Sequence, residues 1–280
     1  MKNRDEHVHE LVTSAVSRRR FAKQAITAGF TIGAAGLLDG AASSADAQAL
    51  SDVDILNFAL NLEYLEAEFY TVLTSGVTID MAPYNIGIGG TGTPGPTTGA
   101  TRLDFAGDRL LEQTALELAH DERSHVEILR EALGSNAVAK PAISFGFAGV
   151  TTIARFLQAA RVLEDVGVSA YGGAAPLISN TTTLGAAVKI GLVEANHSGS
   201  IRYQLAREGV GDIGPVDEAD VVVGSPAQVG SRLVDADGRG LAPVRTPSQV
   251  LAIVYGPNAP AGTMSGGFFP NGMNGTIRMV

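Results

Sequence analysis

The chain has 280 residues, of which 45% are hydrophobic, and a formal net charge of -9. This length and apolar content suffice for one large domain with a full core. Because the sequence contains no Cys, it excludes disulfides, thiolate zinc sites, Cys-ligated iron–sulfur clusters and Cys nucleophiles, and leaves oxygen and imidazole groups as the ligands for a metal.

The first 49 residues have the features of an export leader. Residues 17–23 contain three arginines followed by Phe21 and Ala22, and they resemble the twin-arginine signal, in which a larger apolar residue usually replaces Ala22. A 14-residue apolar stretch over 25–38 is too short to span a membrane, and residues 47–49 offer a small-x-small cleavage site. We therefore predict a twin-arginine signal peptide over 1–49 and a periplasmic or otherwise exported protein. The alternative interpretation is a disordered basic tail.

The charge that remains after the leader restricts the partners. The leader holds six of the basic and five of the acidic side chains, so the mature chain keeps 14 basic and 24 acidic ones. A surface of this balance repels nucleic acid and anionic membranes and attracts cations. We expect neither a nucleic-acid partner nor a membrane contact for the mature form. Its only histidines are His120, His125 and His197.

The first predicted helix covers 52–74, with Ser51 and Asp54 as a capping box and Gly76 as its end. Its apolar face carries Glu63, and Tyr70 follows two turns later. Residues 86–100 are rich in Gly, Pro and Thr and predict a long loop before the second helix.

The second predicted helix, 108–133, carries Glu122 and His125 on an otherwise apolar face. Burying an unpaired charge costs several kcal/mol, so a cation between helices is the simplest explanation for this pair. Glu117 and His120 repeat the Glu-x-x-His spacing, but they fall on a polar row. We place His120 at the surface or behind the ligands.

The third and fourth predicted helices, 152–171 and 183–207, repeat this plan. The third carries Glu164 with Tyr171 seven residues later, as Glu63 precedes Tyr70. The fourth carries a second Glu-x-x-His pair on its apolar row, formed by Glu194 and His197. The chain therefore predicts two helical hairpins with one carboxylate and one carboxylate–imidazole pair each.

The tail over 210–280 is rich in Gly and Pro and lacks His. It offers two strand-like fragments, 220–223 and 231–234, and one short capped helix, 248–255. We expect this tail to wrap the helices or to mediate contacts in a homo-oligomer, and we place no chemistry in it.

This pattern resembles the ferritin-like superfamily, which includes ferritins, rubrerythrins and manganese catalases. Residues 57–70 and 266–272 resemble more narrowly the desiccation-related ferritin-like proteins of bacteria and plants. The resemblance implies an all-α four-helix bundle over 50–209, followed by an irregular extension over 210–280. Such bundles place a Glu from each of two helices and a Glu-x-x-His pair from each of the other two around two metal ions.

Carried over residue by residue, the resemblance implies six metal ligands: Glu63, Glu122, His125, Glu164, Glu194 and His197. Four carboxylates and two neutral imidazoles match two divalent ions, with Fe or Mn favoured over Zn or Ca. Glu66 is an alternative to Glu63, because both can face inward. Tyr70 and Tyr171 are interpreted as core aromatics or as hydrogen-bond donors to ligand carboxylates.

The sequence thus predicts an exported di-metal oxidoreductase that acts on dioxygen or hydrogen peroxide, either ferroxidase-like or manganese-catalase-like. One alternative is a non-catalytic metal-binding protein that protects during stress or desiccation. A storage cage is disfavoured, because the long loop and the tail would obstruct a compact shell. A further alternative is a metal-free bundle whose buried acids pair with His, Arg or Tyr.

Overall fold

In the part of the chain that the structure describes, four long α-helices lie together and a fifth, short helix lies in the tail. The computed structural model describes residues 50–223, 233–237 and 239–280. The five helices are α1 (Asp52–Ser75), α2 (Arg109–Leu133), α3 (Ile153–Ala174), α4 (Thr181–Arg207) and α5 (Pro247–Val254). Single 3₁₀ turns, Gly134–Asn136 and Ala175–Leu177, follow α2 and α3. The predicted all-α class with four long helices is confirmed.

The long helices form two hairpins that pack against each other. Helix α1 runs along α2 and α3 runs along α4, while smaller contacts join α1 to α3 and α2 to α4. The predicted twin-hairpin plan is therefore present. Among the described helices, none has the length and apolar character needed to cross a bilayer.

The helix ends follow from local capping chemistry. Ser51 and Asp54 form the predicted capping box at the start of α1, and Gly76 ends that helix with a φ of 81°. Asp108, Thr152 and Asn180 cap α2, α3 and α4 through their side-chain oxygens. The observed bounds differ from the predicted ones by a few residues. Helix α3 ends at Ala174 rather than at 171, and α4 begins at Thr181 rather than at 183.

Helix α1 is buried around its whole circumference rather than along one stripe. Asn57 and Asn61 are polar but buried, and each contacts backbone from a distant segment. The Asn57 amide donates to Asn136 O at 3.0 Å, and the Asn61 amide donates to Asn274 O at 2.9 Å. The 137–145 segment and the C-terminal tail therefore cover the side of α1 that faces away from the bundle.

The loop over 86–100 is bound to the body of the protein. It contains a two-residue strand, β1 (Thr97–Thr98), which pairs in parallel with β2 (Ile143–Ser144). The buried Lys140 ammonium donates to Gly95 O at 3.0 Å and lies 3.2 Å from the Glu68 carboxylate. The predicted long loop thus includes one two-residue strand, which has no local sequence pattern because its partner lies 46 positions further along the chain.

The C-terminal extension is clamped to α3 and α4 by buried arginines. Arg161 of α3 is fully buried and donates to Asp220 at 2.7 and 2.8 Å and to Asp212 at 2.7 Å. Arg202 of α4 lies 3.3 Å from Asp235 and donates to Val221 O at 2.7 Å. These contacts agree with the expectation that the extension wraps the bundle.

The strand predicted over 220–223 is wrong, because the structure shows no strand there. Its backbone groups instead pair with side chains: Val221 O accepts from Arg202, and Val223 N donates to Asp212 at 2.8 Å. In the second strand-like fragment, Ser231 and Arg232 lie outside the described residues, and Leu233 and Val234 are not in a strand. The leader, residues 1–49, also lies outside them.

Replacing Arg161 by Met should lower the free energy of unfolding by about 3–5 kcal/mol, because it leaves buried carboxylates without their counter-charge. Arg239→Met is the matched control, since Arg239 pairs with Asp237 at an exposed position, with 78% and 36% of the two side chains accessible. Urea denaturation followed by circular dichroism measures both. Equal urea midpoints for the two variants would contradict a stabilising role for the ion pairs of Arg161.

Candidate metal centre

Six side chains from the four long helices meet in the middle of the bundle. Glu63, Glu122, Glu164 and Glu194 have no accessible surface, and His125 and His197 retain 5% and 4% of theirs. The i and i+3 spacing places the Glu and His of α2 on one face of that helix, and likewise for α4. All six predicted residues thus lie in one cluster, although their role as metal ligands stays a prediction.

The cluster divides into two groups of four that share two carboxylates. One group is Glu63, Glu122, His125 and Glu194, and the other is Glu122, Glu164, Glu194 and His197. Within each group, one ligand atom per residue lies within 4.8 Å of all the others. Glu122 and Glu194 belong to both, so these two carboxylates would be shared if each group held an ion.

Around the first group, Nδ1 of His125 faces three carboxylates. It lies 3.2 Å from Glu63 Oε2, 3.1 Å from Glu122 Oε2 and 3.1 Å from Glu194 Oε1. One ring nitrogen carries at most one proton, so it cannot donate a full hydrogen bond to each of three carboxylates. A cation in contact with all four side chains would instead neutralise the carboxylates and accept the nitrogen lone pair.

Around the second group, Nδ1 of His197 lies 2.7 Å from Glu122 Oε1 and 3.4 Å from Glu164 Oε2. The other ring nitrogen, Nε2, lies 3.2 Å from Asp121 Oδ2. Sequence analysis missed Asp121, because it stands on the polar row of α2 and only the tertiary structure brings it to His197.

Several buried polar atoms of the cluster have no hydrogen-bond partner among the described residues. They would be satisfied if they bound a metal ion. They are one oxygen each of Glu63, Glu122 and Glu164, both oxygens of Glu194, and Nδ1 of His197. Such atoms are rare in native proteins, because each costs about 1–3 kcal/mol. Oxygen and imidazole donors that point at one another fit divalent Fe or Mn.

The protonation states reflect this crowding of charge. Burial raises the pKa of Glu122 to about 7, although the adjacent imidazoles of His125 and His197 oppose the shift. Burial alone would lower the pKa of His197, but the Glu164 charge and its contact with Glu122 raise that pKa to about 12. The pKa of His125 is likewise raised, against its burial, by the Glu63 charge. Without metal, the two imidazoles therefore favour their protonated, positively charged form beside the carboxylates.

The buried Tyr70 and the partly buried Tyr171 fix the outer oxygens of two carboxylates. The Tyr70 hydroxyl donates to Glu164 Oε1 and the Tyr171 hydroxyl donates to Glu63 Oε1, each at 2.5 Å. Burial and the adjacent carboxylates raise both tyrosine pKa values well above their usual range, so both hydroxyls stay protonated donors. The second oxygens of Glu63 and Glu164 are left to face the centre.

Glu66 is a fifth buried carboxylate beside the cluster, with 3% of its surface accessible. It belongs to neither group of candidate ligands, so the structure favours Glu63 over Glu66 as the α1 ligand. Burial and the charges of Glu194 and Glu122 raise the pKa of Glu66 well above its usual range. A neutral Glu66 adds no further negative charge to the site.

Glu117 and His120, which repeat the Glu-x-x-His spacing, do not join the cluster. Both are exposed on α2, in keeping with the surface position expected for His120. The group behind His197 is Asp121 instead.

Residues 51–207 match the family described as ferritin-like domain, over more than half of the chain. The chain belongs to the ferritin-like domain family. A relative from Nesocodon mauritianus, described as ferritin-like catalase Nec2, is 25% identical over 271 residues, covering 81% of this chain and 85% of that protein. Membership of the family and the buried cluster are together compatible with a two-metal site.

Replacing Gly167 by Ala should weaken metal binding by about 10-fold or more, because the added Cβ would displace the carboxylate of Glu194, a predicted ligand. A Cβ at Gly167 would lie 2.7 Å from Glu194 Oε2 and 3.2 Å from Glu66 Oε1. Gly185→Ala is the matched control, since nothing lies within 4 Å of a Cβ there. Calorimetric titration with Mn²⁺ compares the two; equal affinities would show that Glu194 needs no space at Gly167.

Metal affinity should fall as the pH falls through about 7, because Glu122 then takes up a proton that competes with the ion. Binding should also release protons at neutral pH, since His197 is protonated without metal. Calorimetry in buffers of different ionisation enthalpy measures this release. A binding enthalpy independent of the buffer would contradict it.

Proposed function

We propose that the protein is an exported di-metal oxidoreductase that acts on hydrogen peroxide or dioxygen. The observation that carries this proposal is the pair of four-residue groups that share Glu122 and Glu194 inside the bundle. Two Fe or Mn ions in such a site supply one-electron redox steps and a place for a small oxidant. Carboxylate-rich ligation suits these metals because it tolerates both divalent and trivalent states.

The residues of the chain hold this centre in place and keep water away from it. Tyr70 and Tyr171 orient Glu164 and Glu63 from outside, so neither carboxylate can rotate freely. The Phe156 ring packs against Phe69 with centroids 5.7 Å apart and edge-on to Tyr70 at 6.0 Å. These rings surround the Tyr70 side chain, which donates to Glu164, with apolar groups and so lower the dielectric around that hydrogen bond.

Among small oxidants we favour hydrogen peroxide, in a catalase-like reaction. The support is the description of the relative from Nesocodon mauritianus as a ferritin-like catalase, with coverage over most of both chains. A ferroxidase would use the same residues, with ferrous iron as its substrate.

The second candidate is a metal-holding protein without turnover, which protects during stress or desiccation. The observation that favours it is the complete burial of all four ligand carboxylates. Residues 57–70 and 266–272, which resemble desiccation-related proteins, support the same candidate. The two candidates differ in whether a small oxidant reaches the centre.

We propose export by the twin-arginine route, which would place the protein in the periplasm or outside the cell. Residues 17–23 and the cleavage site over 47–49 support this location. Because that route carries folded proteins, it suits a protein that loads its metal before export. The negative charge supports metal ions rather than nucleic acid or membranes as partners. The homo-oligomer also stays a proposal.

Elemental analysis combined with peroxide and ferrous-oxidation assays on one sample of exported protein tests the function. We expect about two Fe or Mn per chain, as in two-metal sites, and release of O₂ from peroxide. His197→Ala should lose at least one ion and lower turnover by more than about 100-fold, since even an outer-shell change costs up to that much. Glu117→Gln, exposed on α2, is the control and should retain both.

Metal without turnover would select the protective protein and reject the oxidoreductase. A chain that takes up no metal under any loading condition would reject both, and would mean that protons alone neutralise the cluster.

A further inference from the structure

The Glu-x-x-His pairs of α2 and α4 differ in the contacts of their histidines. Among the described residues, a carboxylate lies next to the outer ring nitrogen of His197 but not next to that of His125. Nε2 of His197 lies 3.2 Å from Asp121 Oδ2, while Nδ1 of the same ring faces Glu122 and Glu164. A carboxylate that accepts from one ring nitrogen keeps the proton there and leaves the lone pair of the other nitrogen free for a metal. Asp121 therefore fixes both the tautomer and the orientation that binding requires.

His125 lacks such a partner. Its three short contacts, to Glu63, Glu122 and Glu194, all involve Nδ1. Within the described part of the chain, no hydrogen bond or ion pair reaches its Nε2. The motif of α4 explains part of this difference, because Val193 precedes Glu194 where Asp121 precedes Glu122. The otherwise repeated plan thus has one outer carboxylate instead of two.

We propose that Asp121 is a positioning residue for His197 and makes the two metal positions unequal, so that the position formed with His197 binds its ion first and more tightly. This inference rests on the proposed metal centre and deepens it. Asp121 reaches the site only through the His197 ring. Its side chain is one-third exposed, whereas the ligands are buried.

In a competing interpretation, Asp121 serves mainly the metal-free chain, as the ion-pair partner of the protonated His197. Such a pair would stabilise the metal-free fold and oppose metal binding, because the proton must leave before the ion can bind. The two interpretations therefore predict opposite effects on affinity when Asp121 is replaced.

The experiment is a titration of the metal-free full chain with Mn²⁺, followed by calorimetry. The unmodified protein should bind two ions in two steps of different affinity. Asp121→Ala should weaken the tighter step by about 10- to 100-fold, as expected for an outer partner of a ligating His, and leave the weaker step unchanged. Asp121→Asn retains an oxygen acceptor and should recover part of the loss.

Glu117→Gln is the matched control, because it removes one carboxylate from the exposed face of the same helix. Thermal unfolding of each metal-free variant checks that the fold is intact. A second readout is proton NMR of the Co²⁺-loaded protein, in which the ring N–H of His197 should give a shifted resonance that exchanges slowly with water. Asp121→Ala should broaden or abolish this resonance.

Equal affinities for Asp121→Ala and Glu117→Gln would overturn the positioning role, and so would tighter binding by Asp121→Ala, which supports the ion pair instead. In both cases the unmodified chain still binds two ions, so the metal centre stands. No binding by the unmodified chain would overturn the metal centre and this inference together.

Discussion

The burial of four carboxylates and two imidazoles between four helices is the constraint on which the rest of the structure depends. Removing these charges from water costs far more than the stability of a typical domain unless they are neutralised. Protons can meet this demand only in part, because several oxygens of the cluster still lack a hydrogen-bond partner within the described residues. Two divalent ions would neutralise four carboxylates and leave both imidazoles uncharged. The composition of the core is therefore compatible with a two-metal centre.

Features away from the cluster serve the same constraint. Asp165 follows Glu164 directly in the chain, and it accepts from Ser198 at 2.7 Å and from Arg202 at 2.9 Å. The hydrogen bond between Ser198 and Asp165 thus joins α4 to α3. Asp165 is the neighbour of Glu164 in the chain, and Ser198 is the neighbour of His197. Arg202 also reaches the extension at Asp235, so the tail reinforces the spacing of the two helices. The interpretation of the extension as chemically inert is compatible with this supporting role.

Much of the fold could be predicted because its signals are local. Capping residues such as Ser51 and Asp108 mark helix starts, and the i, i+3 spacing identifies both Glu-x-x-His pairs on their helix faces. The spacing to Tyr70 favoured Glu63 over Glu66 but left Glu66 open, since α1 is buried on all sides and gives no single inward stripe. The structure distinguishes the two, because the Glu63 carboxylate lies near Glu122 and His125 of α2 while Glu66 belongs to neither group of candidate ligands.

The contributions that sequence analysis missed are all long-range. Asp121 and His197 are 76 positions apart, and Asp121 lies in a row that appears polar and exposed. The backbone over 220–223 has strand-forming residues, but the buried guanidinium of Arg202 takes the hydrogen bond at Val221 O. Neither effect has a signature in a short window, because each depends on which side chains the bundle brings together.

The most direct measurement is anomalous X-ray diffraction from crystals of the exported protein, with data collected on either side of the Fe and Mn absorption edges. The account predicts two peaks about 3.5–4 Å apart, as in other two-metal sites. One peak should lie among Glu63, Glu122, His125 and Glu194, and the other among Glu122, Glu164, Glu194 and His197. Crystals of metal-loaded protein with no peak in the bundle, or with peaks only at the surface, would contradict it.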